Sequence, residues 1–256
     1  MSRTRFSGKT VLVTGAGSGL GRAIALAFGA EGARVVVAGR TEGPLKETAA
    51  LIEEQGGTAA FVTADVSRAA DVRALVRTAV DRFGALDVAV NNAGVLRGAG
   101  QPIAEVAEAD WQTLFDINVT GVLLALQAEV AQMRTQPGGG AIVNVSSNLG
   151  AHKQIPGVTA YAASKAAVSA LTRGAALDHI ADGVRINAVS PGASATTMSL
   201  LPGETEEQRA ARMREQSPLG RVSTTDEVAA AVLYLASPEA GSVVGTDLVI
   251  DGGAAA

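Results

Sequence analysis

A run of small residues between a strand pattern and a helix pattern constrains the fold of this chain most strongly. Residues 10–13, Thr-Val-Leu-Val, are typical of a short buried strand, and residues 22–31 have the apolar spacing of a helix. The eight residues between them, 14–21, read Thr-Gly-Ala-Gly-Ser-Gly-Leu-Gly. Glycines in such a turn let the backbone approach a pyrophosphate, whose charge the helix N-terminus attracts. This order therefore predicts a dinucleotide phosphate site at the turn.

The spacing of these glycines selects one variant of the turn. It fits T-G-x-x-x-G-x-G through Thr14, Gly15, Gly19 and Gly21, and it does not fit G-x-G-x-x-G from any starting glycine. An ordinary tight turn between strand and helix is the alternative. Four glycines in seven residues argue against that alternative.

Strand-like and helical segments alternate along the rest of the chain. The strand-like runs are residues 11–13, 35–38, 60–63, 87–90, 142–145, 186–189 and 248–250. Helical patterns lie between them: one opens at Pro44 and closes at Gly56, one covers 68–83, and a capping box at Thr224 and Glu227 precedes 228–236. Such alternation predicts an α/β fold, a single Rossmann-type, doubly wound parallel sheet of about seven strands with helices on both faces. We expect one dinucleotide-binding catalytic domain over residues 1–256.

One segment, residues 193–217, interrupts this alternation. It contains a polar stretch at 204–215 that predicts a short, solvated helix. A surface excursion is one interpretation. A lid over a bound substrate is the other, and the position of the segment directly after Pro191-Gly192 favours it.

Composition excludes several classes of function. The 256 residues include no cysteine, which rules out disulfides, thiolate catalysis and cysteine-based metal sites. Only two histidines are present, without metal-ligand spacing, so no metal is expected. The net charge of −4 has interspersed signs and leaves no nucleic-acid footprint. Residues 1–9 are polar, and no apolar run predicts a membrane span, so we expect a soluble cytoplasmic protein.

A tyrosine, a lysine and a serine form the candidate chemical site. Tyr161 and Lys165 stand four residues apart, on one face of a predicted helix, and Ser146-Ser147 lies upstream. A phenol titrates near pH 10, and an adjacent cation is expected to lower that pKa. A nearby serine hydroxyl would hold a carbonyl or hydroxyl oxygen against the tyrosine. These groups are suited to moving a proton on and off a C–O group.

With these motifs the chain resembles the short-chain dehydrogenase/reductase family nearly from end to end. The resemblance includes Asn91-Asn92-Ala93-Gly94, Asp116-Ile117-Asn118-Val119-Thr120-Gly121, Pro191-Gly192 and Asp251-Gly252-Gly253, in addition to the glycine turn and Tyr161-x-x-x-Lys165. Each short motif is common alone. All six, in this order and in a chain of this length, are highly specific.

The resemblance implies a role for each catalytic candidate. Tyr161 would be the general acid in carbonyl reduction and the general base in alcohol oxidation. Lys165 would lower the pKa of Tyr161 and bind the nicotinamide ribose, and Ser147 would hold the substrate oxygen. Asn118 would keep a water in a proton relay from Lys165; an asparagine that repairs the local helix backbone is the alternative. Ser147 and Tyr161 stand 14 residues apart, one more than is common in the family, and we place the extra residue in the loop 151–159 rather than assign the role to Asn148.

The resemblance also implies a set of cofactor contacts. Those for the phosphates, adenine and riboses are Gly15, Ser18, Gly19, Leu20, Gly21, Asp65, Val66, Asn92, Ala93 and Gly94, with Tyr161 and Lys165. Those on the nicotinamide side are Pro191, Gly192 and Thr196. For Asp65, a plain helix-capping role is the alternative.

The end of the second strand predicts the choice of cofactor. Family members that use NAD place an acidic side chain there for the ribose 2′-OH, whereas this chain has Gly39 followed by Arg40 and Thr41. A guanidinium suits a 2′-phosphate in charge and in its forked geometry, and Thr41 adds a hydroxyl. We therefore expect NADP(H), with NAD(H) as the alternative.

Substrate and assembly are the remaining expectations. A small ketone or secondary alcohol is the first choice, with Leu96, Arg97, His152, Lys153, Gln154, Ile155 and Val158 as candidates for the pocket wall. A 3-oxoacyl-thioester reductase is the alternative, disfavoured by Gly138 and Asp182 where such enzymes tend to carry basic residues; a nucleotide-binding regulator without chemistry is disfavoured by the intact catalytic set. Residues 111–133 are apolar around most of a helix, which predicts a homo-oligomer, a tetramer or a dimer.

Overall fold

The computed structural model of the chain describes residues 4–256, so the first three residues of the polar segment 1–9 lie outside it. The strands are β1 Thr10–Thr14, β2 Arg34–Gly39, β3 Thr58–Thr63, β4 Val88–Asn91, β5 Gly140–Val145, β6 Val184–Pro191 and β7 Asp247–Ile250. The helices are α1 Gly19–Ala30, α2 Glu42–Glu54, α3 Ala69–Phe83, α4 Glu108–Phe115, α5 Gly121–Met133, α6 Thr159–His179, α7 Glu206–Gln216 and α8 Thr225–Ala236. The predicted alternation of strands and helices is confirmed.

All seven strands join one sheet in the order β3-β2-β1-β4-β5-β6-β7, and every neighbouring pair is parallel. The chain winds outward from β1 to β3, then returns to the other side of β1 and winds outward again to β7. The order therefore reverses between β1 and β4. A doubly wound sheet binds its ligands at such a reversal, beyond the carboxyl ends of the strands.

Alternate residues of each central strand supply the two faces of the core. In β1, Val11 and Val13 pack with α1 and α8, whereas Leu12 points to the opposite face and packs with α3, α5 and α6. Both faces are aliphatic and almost completely buried. A sheet buried on both faces requires strands that are apolar at consecutive positions, as these are.

The last three residues of the glycine-rich turn belong to α1. The sequence predicts that α1 begins at Arg22, but it begins at Gly19, so that Gly19, Leu20 and Gly21 form its first turn. A Cβ on Gly21 would lie 2.3 Å from the Gly15 carbonyl oxygen, which leaves room for glycine only. Gly15 and Gly19 both adopt positive φ angles. The helix N-terminus is thereby brought against the end of β1.

Two other helices differ from the sequence predictions. α2 begins at Glu42 rather than Pro44, which sits within its first turn. The apolar stretch Glu108–Met133 forms one helical segment. By length and composition alone it could cross a membrane, but 44% of its most apolar window is buried in the fold. A buried core helix meets the same criteria. Within it, a π turn at Asp116–Thr120 separates α4 from α5.

The segment 193–217 folds into a 3-10 turn at Thr197–Ser199 followed by α7. Thr205 and Gln208 form a capping box at the start of α7. The structure has the predicted short helix, most of whose residues are exposed, but Arg209 and Met213 on one face of α7 are buried. The polar composition of α7 conceals an inward face that holds the segment onto the protein.

Candidate active site

Ser147, Tyr161 and Lys165 meet in one cleft of about 380 Å³ beyond the carboxyl ends of β1, β4, β5 and β6. Ser147 is the second residue after β5, and α6 carries Tyr161 and Lys165 one turn apart. All three side chains are buried. The sequence prediction that they lie together therefore agrees with the geometry.

Lys165 is fixed at the floor of the cleft. Its Nζ donates to the Val145 carbonyl oxygen at 2.8 Å and lies 5.9 Å from the centre of the Tyr161 ring. Burial lowers the pKa of Lys165 to about 8. The ammonium is thus still favoured over the neutral amine at neutral pH, but less strongly than in an exposed lysine.

The phenol of Tyr161 differs from the sequence prediction. Burial raises its pKa, and the Ser147 hydroxyl acts in the opposite direction by hydrogen bonding. The sequence predicts a pKa lowered by Lys165. That prediction is wrong here because removing the phenolate from water is the larger effect and because the lysine ammonium is directed to a backbone carbonyl.

The neighbouring Ser146 has a different set of contacts from Ser147. Its hydroxyl donates to the Lys165 carbonyl oxygen at 2.9 Å and lies 3.0 Å from the Ser169 hydroxyl. The Ser147 hydroxyl accepts a hydrogen bond from the Leu149 backbone N–H at 3.1 Å and keeps its own proton for another acceptor. The Asn148 amide instead donates to Asp251 at 3.1 Å. These contacts favour Ser147 over its two neighbours as the group that faces a substrate.

Asn118 does not line the cleft, and its side chain is occupied within the protein. It lies in the π turn, where its Oδ1 accepts from the Val95 N–H at 2.9 Å. Its amide donates to the Val95 carbonyl at 3.0 Å and to the Ser164 hydroxyl at 3.1 Å. A Cβ on Gly94 would lie within 3.4 Å of both Asn118 Oδ1 and Lys165 Nζ, so these groups are near neighbours.

The predicted cofactor residues fall into two adjoining clefts. The larger cleft is lined by Gly15, Ser18, Gly19, Leu20, Gly21, Asn92, Ala93, Gly94, Pro191, Gly192 and Thr196. A smaller cleft of about 90 Å³ is lined by Arg40, Asp65, Val66, Ala93 and Gly94. Ala93 and Gly94 belong to both. Thr41 lines neither of them; it is the N-cap of α2, and its side chain makes no cap hydrogen bond.

The larger cleft has the features that a pyrophosphate requires. Its glycines bring the backbone close to the cleft, and a side chain at Gly21 would clash with the Gly15 carbonyl. α1 has no acidic residue in its first turn, and Ser18 provides no side-chain cap there. The positive end of α1 is therefore open to an anion. The residues present fit a dinucleotide.

Asp65 is engaged in its own turn. Its carboxylate accepts from the Ser67 backbone N–H at 3.0 Å and from the Ser67 hydroxyl at 2.7 Å. These hydrogen bonds are the main cause of its lowered pKa, with smaller contributions from Arg40 and Arg68. The residue that caps α3 is Arg68, so Asp65 caps the preceding turn rather than the helix itself.

Gly39 and Arg40 lie where the sequence predicts them, at the end of β2. Gly39 has no positive φ, and a Cβ on it would touch only the end of the Leu45 side chain at 3.4 Å. Arg40 is exposed at the rim of the smaller cleft. Glycine is therefore not required here by the backbone, and there is space for a Cβ in its place.

The pocket wall contains some of the candidates and some residues that sequence reasoning missed. Leu96, Ile155 and Val158 line the larger cleft as proposed. His152 instead lies 3.0 Å from Asp247, and Lys153 and Gln154 bond to backbone carbonyls. The lining residues that the sequence patterns do not indicate include Leu149, Met198 and Arg212. Their signal was weak because Met198 is in an irregular turn and Arg212 is one of several charged residues on α7.

Comparisons with known proteins agree on one family. The family model described as "Enoyl-(Acyl carrier protein) reductase" matches residues 15–255. The short chain dehydrogenase/reductase astE of Aspergillus oryzae is 42% identical over 251 residues, which cover 96% of this chain and 94% of that protein. The 3beta-hydroxysteroid dehydrogenase 1 of Eggerthella lenta is 42% identical over 249 residues, covering 96% and 93%. The crystal structure of levodione reductase superimposes with a TM-score of 0.90 at 36% identity, covering 97% of this chain and 98% of that one.

Proposed function

The chain belongs to the short-chain dehydrogenase/reductase family and is an NAD(P)-dependent oxidoreductase that acts on CH–OH groups. From that membership we propose that it uses NADP(H) to interconvert a small ketone and a secondary alcohol, with Tyr161 as the general acid and base. The observation that carries the proposal is the meeting of Ser147, Tyr161 and Lys165 in one buried cleft that opens onto the N-terminus of α1. The bound cofactor would supply or accept the hydride.

Tyr161 would exchange a proton with the reacting oxygen, and Ser147 would hold that oxygen in position. In reduction, the Tyr161 hydroxyl donates a proton to the carbonyl oxygen as it gains charge. In oxidation, the phenol must first lose its proton, because burial raises its pKa, and the phenolate then takes the proton from the alcohol. The Ser147 hydroxyl holds the same oxygen, because its proton is left over by the contact with Leu149. The raised pKa of Tyr161 keeps its proton in place for reduction.

Lys165 and Asn118 support the tyrosine. Lys165 would bind the nicotinamide ribose and, with a pKa near 8, accept and release a proton near neutral pH. Asn118 would act by holding the π turn beside Lys165, since Val95 and Ser164 occupy its side chain. A water held by that turn would complete a relay from Lys165 to solvent.

The proposed cofactor contacts follow the two clefts. Gly15, Ser18, Gly19, Leu20 and Gly21 would hold the pyrophosphate at the start of α1. Asp65 and Val66 would bracket the adenine, with Asn92, Ala93 and Gly94 along the adenosine ribose. Pro191, Gly192 and Thr196 would contact the nicotinamide side. Arg40 and Thr41 would bind the 2′-phosphate, which the absence of an acidic residue at Gly39 permits.

A thioester substrate is the second candidate, and the description of the matching family model is the observation in its favour. Two features weigh against an acyl-carrier-protein partner, which is acidic and needs basic residues to dock. Gly138 stands before β5, and Asp182 lies in the 3-10 turn Ile180–Asp182 that follows α6, where it is bonded to His179 at 2.9 Å. NAD-dependent oxidation of an alcohol or a sugar is a further alternative within the same chemistry.

The remaining parts of the proposal concern the segment 193–217 and the setting of the enzyme. We propose that this segment is a substrate lid, because its 3-10 turn at Thr197–Ser199 lines the larger cleft. We further propose a cytoplasmic homo-oligomer whose only partner in the reaction is a small molecule.

A screen of NADPH consumption tests the proposed function. The purified protein is assayed against cyclic ketones, quinones, sugars and acetoacetyl thioesters. We expect turnover of ketones that exceeds turnover of thioesters. Faster turnover of the thioesters would favour the second candidate, and no turnover of any carbonyl compound would contradict both.

A further inference from the structure

The substrate side of the larger cleft has an apolar wall, and Arg212 is a cation in the lining in addition to Lys165 at the floor. Leu96, Leu149, Ile155, Val158 and Met198 supply the aliphatic surface. Arg212 of α7 is the charged residue of the segment 193–217 that lines the cleft. An arginine in such a position ordinarily attracts a carboxylate or a phosphate. Whether it does so here depends on its existing partners.

The guanidinium of Arg212 is already engaged by a carboxylate. Its Nε lies 2.6 Å from Glu204 Oε1, and its Nη2 lies 2.7 Å from Glu204 Oε2. Nη2 also donates to the Ser199 carbonyl oxygen at 3.0 Å. The side chain of Glu204 is only 9% exposed and stands outside the lining of the cleft. The pair is therefore bidentate and has no net charge.

The local surroundings fix this pair in place. Hydrogen bonds from Arg212 lower the pKa of Glu204 to about 2, so the carboxylate stays charged at working pH. On the same face of α7, Arg209 donates to the Thr196 carbonyl and to the Ser199 hydroxyl, both at 2.9 Å. Both arginines thus tie α7 to the turn that lines the cleft. If Arg212 left Glu204, it would lose both hydrogen bonds to the carboxylate and, unless Nη2 stayed in place, the one to the Ser199 carbonyl oxygen.

Resting on the proposed function, we propose that Glu204 is a specificity-determining residue that restricts the enzyme to uncharged, apolar ketones and alcohols. A carboxylate-bearing substrate entering the cleft would be desolvated beside a cation whose charge Glu204 has already balanced, and Glu204 would repel it. An uncharged ring would instead bury its surface against the aliphatic wall. Removing the charge of Glu204 should release Arg212 for an anion.

A matched pair of substrates and a matched pair of variants test this proposal. The substrates are 4-oxocyclohexanecarboxylate and its methyl ester, compared by kcat/KM with NADPH. The variants are Glu204→Gln and Glu206→Gln. Glu206, two residues further along at the start of α7, is 81% exposed and lies 3.9 Å from Arg209, so its substitution removes the same charge without removing the partner of Arg212.

We expect the wild type to prefer the ester. In Glu204→Gln the carboxylate-to-ester ratio should rise by about tenfold to a hundredfold, the scale of one charge-assisted hydrogen bond. It should stay unchanged in Glu206→Gln, and Arg212→Gln added to Glu204→Gln should cancel the gain. A wild type that prefers the carboxylate, an unchanged ratio in Glu204→Gln, or an equal rise in Glu206→Gln would overturn the proposal.

A binding measurement separates this proposal from the proposed function. Calorimetric titration of cyclohexanecarboxylate into the protein with NADPH needs no turnover. Binding to Glu204→Gln that is at least about tenfold tighter than to wild type supports the role of Glu204 even if neither ketone is reduced. Equal affinities overturn it even if the ester is turned over. Thermal melts of each variant show whether the lid change has unfolded the protein, and the wild-type preference stands as a test without any variant.

Discussion

At the scale of single residues, we expect the end of β2 to determine how the cofactor ribose is held. Gly39 ends the strand with ordinary backbone angles, and Arg40 follows at the rim of the smaller cleft. A Cβ at Gly39 would make an ordinary van der Waals contact with the end of the Leu45 side chain, so the backbone accepts a side chain here. A substitution at Gly39 can therefore test the cofactor preference without a change in the backbone of β2.

Gly39→Asp should turn the cofactor preference from NADP(H) toward NAD(H). The new carboxylate would repel the 2′-phosphate and accept a hydrogen bond from the ribose 2′-OH. We expect the ratio of kcat/KM for NADPH to that for NADH to fall by about tenfold or more, as for the loss of one charge-assisted contact. Gly138→Asp is the control, because it adds the same charge in an open loop before β5. A wild type that prefers NADH, or a ratio that does not move in Gly39→Asp, would show that this assignment is wrong.

At the scale of the elements, a buried polar network joins α5, β4, β5 and α6 beneath the site. The Asn91 amide donates to Glu129 on α5 and to Asn144 on β5, both at 3.0 Å. The Asn144 amide in turn donates to the Thr172 hydroxyl on α6 at 2.9 Å. Burial raises the pKa of Glu129 to about 7, and the bond from Asn91 opposes this more weakly. The network holds together the elements that carry Lys165 and Ser147.

Glu129 should make stability depend on pH. Its pKa in the folded protein is about 7, against 4.5 in the unfolded chain, so the folded state binds more protons between these values. The free energy of unfolding should therefore fall by up to about 3 kcal/mol as the pH rises through this window. Above the window, the contribution of Glu129 should change little.

Glu129→Gln should remove this part of the pH dependence, because the amide stays neutral in both states. Urea unfolding at about pH 5 and about pH 8 measures it, with the exposed Glu53→Gln as control. If wild type and Glu129→Gln lose the same stability between the two pH values, the carboxyl is not the titrating group.

The sequence predicts elements well where the determinants are local and poorly where they are tertiary. The capping box at Thr224 and Glu227 is confirmed because all its contacts lie within four residues. The start of α1 at Gly19 is missed because glycine has a low helix propensity, and packing against β1 and Thr196 overrides it. The π turn around Asn118 and the buried face of α7 depend likewise on neighbours far along the chain.

The same distinction applies to the site. The sequence motifs predict that Tyr161, Lys165 and Ser147 lie close together, and the structure brings them into one cleft. The sequence predicts a lowered pKa for Tyr161, whereas burial raises it. The sequence does not show this because desolvation depends on how completely the folded chain covers the phenol. The sequence does not indicate that Arg212 lines the cleft, because the pattern of a polar helix does not show which of its charged side chains face inward.

At the scale of the whole molecule, apolar side chains remain exposed on the helices that flank the site. Trp111 on α4 and Leu123 on α5 are 39% and 41% exposed, and Leu177 near the end of α6 is 77% exposed. A helix that is apolar on both its core face and its outer face gains stability from a second partner. This supports the prediction of a homo-oligomer.

Light scattering at micromolar concentration should give the mass of a tetramer or a dimer. Leu123→Lys should shift the protein toward a smaller species by placing a charge in the contact. Leu201→Lys is the control, because Leu201 is also exposed but belongs to the segment 193–217. A monomeric mass for the wild type would refute the prediction, and an equal shift in both variants would show that the contact is not on α5.

The proposed chemistry rests on the Tyr161 hydroxyl, and its removal tests the account most directly. The chain has a second tyrosine, Tyr234, exposed on α8, so Tyr234→Phe is a matched control. Tyr161→Phe should lower kcat for a ketone found in the NADPH screen by about 10²–10⁴-fold while NADPH still binds, because a positioned proton donor is lost and the phosphate contacts are not. Tyr234→Phe should keep wild-type activity. A Tyr161→Phe enzyme with a kcat near that of wild type would contradict the account.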